Sequence, residues 1–373
     1  MEKACIVCTT PYQLMTGAAL AHSIEKDADL YVVDQFRRAE EYAERIRTLG
    51  LFRDVKVVKQ EEVVQFRRYG SKLLNYLSLM KSYLGIDRFA EKVLIPGRSY
   101  RRLYVSSKAY VGNQLRLYFS KHRTGTELYY FDDGEGSYYN DRTYEHTLPA
   151  RMFLGLMFGR SALRTDYPKY LYSPELYEKL NGSGDVRRIE TDWGRGEPLK
   201  WINHVFQVTP DKLMKEAVII FDTLAGEREK RERLDRCYHM AADILGSDNI
   251  IVKRHPRDKS PADERFNQYQ DHDTPFEAIS ANMNMNDKIL ITYSSTAVGT
   301  VKLLMGQEPA VILLYRIVNP GAEVNGKRDR YYQSLSELYA DGNRIFIPAD
   351  MAEYEAILRR FRDSDAFKNV LNG

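Results

Sequence analysis

The sequence predicts an α/β protein made of two successive parallel-sheet domains, and three observations carry that prediction. Short apolar runs alternate with helical patterns, the alternation occurs twice on either side of a turn-rich stretch, and polar clusters stand where the apolar runs end. The length of 373 residues suits two domains of ordinary size. With 43% apolar and 29% charged residues the chain can build cores and is too balanced for disorder. A formal net charge of +3 gives no sign of a nucleic-acid partner. Three cysteines cannot form a disulfide framework, no window reaches the roughly 18 apolar residues of a membrane span, and Met1-Glu2-Lys3 runs straight into a strand-like stretch. A soluble protein of a reducing, cytoplasmic compartment is therefore expected.

In chain order, Ala4 to Cys8 reads as a buried strand, followed by the Thr9-Thr10-Pro11 turn and a helix through Leu14, Ala18, Leu20 and Ile24. Strands at Leu30–Val33 and Val55–Val58 flank a helix around Tyr42 to Leu49. The pattern resumes with Leu103–Val105, a helix near Gln114 to Phe119, and Leu128–Phe131, which ends abruptly in Asp132-Asp133-Gly134. From about 165 to 210 the texture turns to Gly, Ser and Pro punctuation, and the boundary is placed there, giving domains 1–205 and 206–350. The second block holds strands at Val218–Phe221, Ile250–Val252, Ile289–Thr292, Val311–Leu314 and Arg344–Ile347, with a charged helix from Gly226 to Leu245. A closing helix, roughly Met351 to Phe361 within 351–373, is expected to reach back to the first domain.

Two open α/β blocks leave a cleft, and ligands of such sheets sit outside the carboxyl ends of the strands. Polar clusters occupy those ends. Lys253, Arg254, His255 and Pro256 close one strand of the second block; Ser294, Ser295 and Thr296 close the next and open a helix. Hydroxyls at a helix N-terminus, with Lys, Arg and His nearby, describe a phosphate site, although each cluster alone is also an ordinary cap or turn. In the first block Asp132 and Asp133 stand where a general base could work; an Asp-Gly turn is the plainer reading, and a metal site has no second ligand cluster to complete it. Asp222, ending the strand Val218–Phe221, is a rival base. A carboxylate facing a phosphate site fits inverting group transfer from an activated donor.

Other features have plainer explanations. Cys5 and Cys8 lie three apart on a strand and so point to opposite faces, which excludes a shared metal or disulfide. Thr9, Thr10, Tyr12 and Gln13 face the cleft as acceptor or donor contacts, or serve as the helix cap with Pro11 at the first helical position. Leu148 to Phe158 is either a buried helix or a surface resting on an anionic membrane, with Arg98, Arg101, Arg102, Arg151, Arg160 and Arg164 adding to a basic face.

The three clusters, in this order, resemble the shared motifs of bacterial sialyltransferases: an acidic-acidic-Gly triplet, a His-Pro pair and a Ser-Ser/Thr pair. The segment from Cys8 to Leu14 looks most like the lipooligosaccharide and capsule sialyltransferases of glycosyltransferase family 52, and the likeness extends over about residues 10 to 300. The resemblance implies a GT-B-like architecture, two Rossmann-like domains facing a central cleft, with acceptor in the first and CMP in the second. It implies metal-independent, inverting transfer of sialic acid from CMP-sialic acid to a galactose-type hydroxyl of a bacterial surface glycan, commonly α2,3. By that analogy Asp132 is the base and Asp133 its support, His255 binds or protonates the departing phosphate, and Ser294 and Ser295 hold it. Pro275-Phe276-Glu277 is a guess for base or ribose contacts. A peripheral position on the inner face of the cytoplasmic membrane and a homodimer are in keeping with the resemblance. A hexosyltransferase using a UDP-sugar, and an inactive nucleotide- or glycan-binding protein, remain the alternatives.

Overall fold

The computed structural model describes residues 3–63, 70–106, 109–139, 148–164, 166–223, 227–255, 258, 261–321 and 323–364. The chain divides into two compact units, Met1–Thr191 and Asp192–Gly373. The division thus falls inside the turn-rich stretch but ahead of residue 205, because the helix Gly196–Phe206 belongs to the second unit.

The first unit holds strands β1 (Ala4–Cys8), β2 (Ala28–Val33), β3 (Asp54–Val58), β4 (Arg102–Val105), β5 (Glu127–Phe131), β6 (Lys169–Leu171) and β7 (Val186–Arg188). They form one parallel sheet in the order β3-β2-β1-β4-β5-β6-β7. Every residue of β1 and β2 is buried, as a parallel strand covered on both faces requires. Helix approach to this sheet depends on small residues. A Cβ at Gly112, in the helix Tyr110–Lys121, would lie 2.6 Å from Val105 Cγ1 and 2.8 Å from its Cβ.

The second unit repeats the plan with β8 (Val218–Phe221), β9 (Ile250–Lys253), β10 (Asn267–Gln268), β11 (Ile289–Thr292), β12 (Ala310–Leu313) and β13 (Ile345–Phe346), in the parallel order β10-β9-β8-β11-β12-β13. In each sheet the first strand lies centrally and the order reverses beside it, so each has a switch point at the carboxyl edge. The closing helix is Met351–Asp363. Its buried Tyr354 and Leu358 join the second unit's own core with Leu234, Cys237 and Ala241 of the helix Arg228–Leu245. An apolar stripe at 354 and 358, one helical turn apart, needs a partner, and that neighbouring helix supplies it.

Cys5 packs in the first unit's core on one face of β1, while Cys8 on the other meets the helix Pro11–Ser23, where a Cβ on Gly17 would stand 3.0 Å from its sulfur. Both thiols, and Cys237, are free and buried. Among the described residues no helix is long and apolar enough to cross a membrane.

Replacing Gly112 by alanine should destabilise the first unit by about 1–3 kcal/mol, since the clash with Val105 outweighs alanine's helix preference of about 1 kcal/mol. Urea unfolding of the variant measures this, and an equal or higher midpoint would mean the helix can retreat from the strand.

Candidate active site

The carboxyl edge of the first sheet gathers side chains from the ends of β1, β4 and β5. Asp132 directly follows β5 and is 0% exposed. Its carboxylate accepts four hydrogen bonds: from the hydroxyls of Tyr12 (2.9 Å) and Tyr138 (2.6 Å) and from the backbone N–H groups of Gly134 (2.9 Å) and Tyr172 (3.3 Å). Burial raises its pKa, and these four donors work in the opposite direction. All four donors come from the protein, and the carboxylate is fully enclosed.

Asp133 is its counterpart in the open. It is partly exposed, and its carboxylate accepts hydrogen bonds from Gln13 Nε2 (2.7 Å) and from Ser106 Oγ (2.7 Å). Gln13 is held in turn, its Oε1 accepting from the backbone N–H (2.7 Å) and the hydroxyl (3.0 Å) of Thr9. The turn is closed by the Asp133 N–H donating to Ser137 Oγ (2.7 Å) and by Gly134 at φ +87°, where a side chain is strained. Among the residues expected as ligand contacts, Tyr12 bonds Asp132, Gln13 bonds Asp133, and Thr9 holds Gln13. Thr10 caps its helix, accepting from the Gln13 N–H (3.1 Å), with Pro11 at the first helical position. Ser106, Tyr138 and Tyr172 went unnoticed in the sequence. Ser106 had one available signal, a hydroxyl directly after a strand.

In the second unit the strand ends carry paired charges. Asp222, after β8, is buried and takes a two-pronged contact from Arg231 Nη1 (2.8 and 2.9 Å) as well as the Thr223 N–H (2.9 Å). An aspartate bound in this way is a poor base, although burial raises its pKa against the pull of Arg231. Arg254 pairs with Asp258 (3.1 Å). Lys253 places its ammonium 4.7 Å from the centre of the Tyr269 ring and donates to the Asp271 carbonyl (3.4 Å). Burial pulls its pKa down to about 8, opposed by the carboxylates of Asp271, Glu277 and Asp273. Neither cation assigned to phosphate is thus uncommitted. Glu277 itself accepts from Thr300 Oγ1 (3.4 Å), and burial raises its pKa.

His255 follows Arg254 and is partly buried, with its carbonyl accepting the Asp258 N–H (2.8 Å); Pro256 lies outside the described residues. After β11 the turn is fixed by buried Thr292, whose Oγ1 accepts the Ser295 N–H (2.9 Å). Ser295 Oγ accepts weakly from the Ala297 N–H (3.4 Å), and Thr296 opens the helix Ala297–Met305 without a side-chain cap. Among the described residues Ser294 and Thr296 have no side-chain hydrogen bond, so their hydroxyls stand available at a helix N-terminus. Of the arginines read as a basic face, Arg98 pairs with Asp29 (3.8 Å) and Asp54 (3.4 Å), and Arg102 with Glu25 (2.5 Å).

Asp132→Ala should cost about 3 kcal/mol or more by leaving four enclosed donors without an acceptor, and Asp133→Ala only about 1 kcal/mol. Chemical denaturation of both variants checks the order; equal losses would remove the distinction between them. Lys253 gives a pH signature. With its folded pKa near 8 against an ordinary 10.5, the unfolded chain alone binds the proton between those values. Its contribution to stability therefore rises with pH across that window. Lys253→Met should flatten the rise in melts taken from pH 7 to 10.

No family model and no curated protein matches the chain. Solved structures do. The glycotransferase of kitacinnamycin is 10% identical with a TM-score of 0.54, the match covering 100% of this chain and 93% of that one. UGT89C1 of Arabidopsis thaliana, complexed with UDP, is 11% identical with a TM-score of 0.51 over 100% and 93%. A UDP-glucosyltransferase from Polygonum tinctorium capable of glucosylating indoxyl is 12% identical with a TM-score of 0.52 over 100% and 92%. At such identities the likeness establishes architecture: the chain has the α/β fold of the GT-B glycosyltransferases, two Rossmann-like units with parallel sheets.

Proposed function

We propose that the protein is an inverting glycosyltransferase that moves sialic acid from CMP-sialic acid to a galactose-type hydroxyl of a surface glycan. The observation that carries this reading is the partly exposed Asp133 carboxylate, fixed by Gln13 and Ser106 at the carboxyl edge of the first sheet. The motif resemblance supplies the donor. Within the Asp-Asp-Gly turn the base is assigned to Asp133 and the supporting role to Asp132, because a base must be reachable by the proton it takes.

In the proposed reaction Asp133 accepts the proton of the acceptor hydroxyl as that oxygen bonds to the anomeric carbon. The bond from that carbon to the phosphate oxygen breaks on the opposite side, inverting the centre. CMP leaves with its charge stabilised by His255 and by the hydroxyls of Ser294 and Ser295 at the helix N-terminus. No metal is assigned a role. Met152 and Leu156, 70% and 86% exposed on the helix Leu148–Phe158, favour an acceptor presented at a membrane surface.

A UDP-sugar donor is the second reading, favoured by the two solved neighbours described with UDP or as UDP-glucosyltransferase. Calorimetric titration with CMP and UDP separates the two: CMP binding and no UDP binding is expected, and the reverse would discard the sialyl donor. Asp133→Ala should abolish transfer, by about 10²-fold or more, with CMP affinity unchanged. His255→Ala should weaken both. Full activity in Asp133→Ala would return the base role to another carboxylate.

A further inference from the structure

A cavity of about 610 Å³ lies in the first unit, at the opposite edge of the sheet from the aspartates. Its wall includes Glu127, the first residue of β5, whereas Asp132 follows the last; five residues at about 3.3 Å each set the two edges roughly 16 Å apart. Ligands of parallel sheets ordinarily occupy the carboxyl edge, so this amino-edge cavity is not an extension of that site.

Four arginines line it, from three separate stretches of chain: Arg116 and Arg123 at the helix Tyr110–Lys121 and its end, Arg164, and Arg187. Two carboxylates face them, and both are engaged: Glu127 accepts from the Tyr129 hydroxyl (2.8 Å), and Asp185 pairs with Arg187 (3.4 Å). Arg116 is buried, its Nη1 donating to the Ala162 carbonyl (2.9 Å) and the Tyr167 hydroxyl (3.4 Å). Arg164 lies over the Tyr167 ring (5.1 Å), and Arg187, besides its pairing with Asp185, lies over the rings of Tyr129 and Tyr170 (5.6 Å each) and donates to the Tyr170 hydroxyl (3.1 Å), contacts that orient both guanidinium groups. Arg123 is exposed and sits at φ +48°, just past the helix Tyr110–Lys121, a left-handed position that glycine or asparagine takes at lower cost. The hydroxyls of Ser120, Ser161 and Thr126 complete the lining.

We propose that this cavity is a separate binding site for a phosphate-bearing ligand. The chemistry decides between acids. A carboxylate occupies one guanidinium fork, whereas a phosphate brings three or more acceptor oxygens to several forks and hydroxyls at once. The phosphate has two possible sources, a free phosphate group or an acidic lipid headgroup. The wall favours testing the second, because Ser161 and Arg164 lie just beyond the helix Leu148–Phe158. The large apolar side chains exposed among the described residues are Leu74, Leu77, Leu84, Met152 and Leu156, and they belong to that helix and to the helix Lys72–Leu84 and its C-terminal end. The two helices meet through Tyr83 and Phe153.

The test uses the full chain and the variant Arg123→Ala/Arg164→Ala/Arg187→Ala, with the triple Lys variant as the charge-conserving control. Binding is read by flotation with phosphatidylglycerol or phosphatidylcholine vesicles and by thermal melting with inorganic phosphate. The wild type should bind phosphatidylglycerol vesicles, gain melting temperature with inorganic phosphate, or both; the alanine variant should lose about tenfold in affinity and the lysine variant less. A response to vesicles alone assigns the lipid source, and a response to inorganic phosphate alone assigns the free one. A wild type that responds to neither, or an alanine variant that binds as well as wild type, overturns the proposal. CMP calorimetry on the alanine variant keeps this separate from the proposed transfer: unchanged CMP affinity supports a distinct site, and lost CMP affinity in a variant that still melts cooperatively refutes it.

Discussion

A single enclosed negative charge organises the first unit's chemistry. The Asp132 carboxylate lies where water cannot solvate it, and an uncompensated charge there would cost several kcal/mol. It persists because four segments each direct one donor at it: the start of the first helix through Tyr12, its own turn through Gly134, the turn that follows through Tyr138, and the chain after β6 through Tyr172. Those segments are thereby fixed relative to one another. The placement of Asp133 follows as a consequence. Side chains alternate along an extended chain, so enclosing Asp132 turns its neighbour outward. Gly134, at a φ that side chains disfavour, then bends the backbone so that its N–H returns to Asp132. One carboxylate supports the structure and the next is presented to solvent.

The two units share a strand order and differ in how they manage charge at the strand ends. The first holds a carboxylate with neutral donors, a relay from Thr9 through Gln13 to Asp133 with Ser106 on the other side. Hydroxyl and amide donors of this kind orient a carboxylate by direction as well as by attraction. The second balances charge against charge: Arg231 with Asp222, Arg254 with Asp258, and Lys253 among Asp271, Asp273 and Glu277. What it leaves for an anion is the hydroxyl-bearing helix start at Ser294 and Thr296. A neutral phosphate site of that kind recognises shape and hydrogen bonding more than net charge.

Much of the architecture was legible in the residues. Buried parallel strands are continuous apolar runs, so β1, β2, β8, β9, β11 and β12 announced themselves, as did the polar clusters behind them. The edge strands did not. Lys169-Tyr170-Leu171, next to the edge, and Val186-Arg187-Arg188, at the edge with an exposed pair of arginines, are three residues each, and they fall inside a stretch whose Gly and Ser content reads as a linker. Within that stretch Ser173 caps the helix Pro174–Asn181, accepting the Leu176 N–H, with Pro174 at its first position. Partnership was the other invisible quantity. Nothing in the order Asp132-Asp133 says which aspartate is enclosed, because that depends on Tyr138 and Tyr172, which approach from later turns. The same holds for Lys253 and Arg254, whose neutralising carboxylates come from positions 258 to 277.

The amino-edge cavity shows why a small net charge conceals local fields. The whole chain carries +3, yet one hollow gathers four guanidinium groups against two engaged carboxylates. Positions 116, 123, 164 and 187 share no motif and no helical or strand period, so only the crossing of helix and loop above the sheet brings them together. Arg123 takes a left-handed backbone there, and tyrosine rings hold Arg164 and Arg187 in place. Guanidinium groups fixed by separate elements around one hollow can meet a phosphate with several forks at once and little further ordering, and that preorganisation is what the proposed anion site rests on.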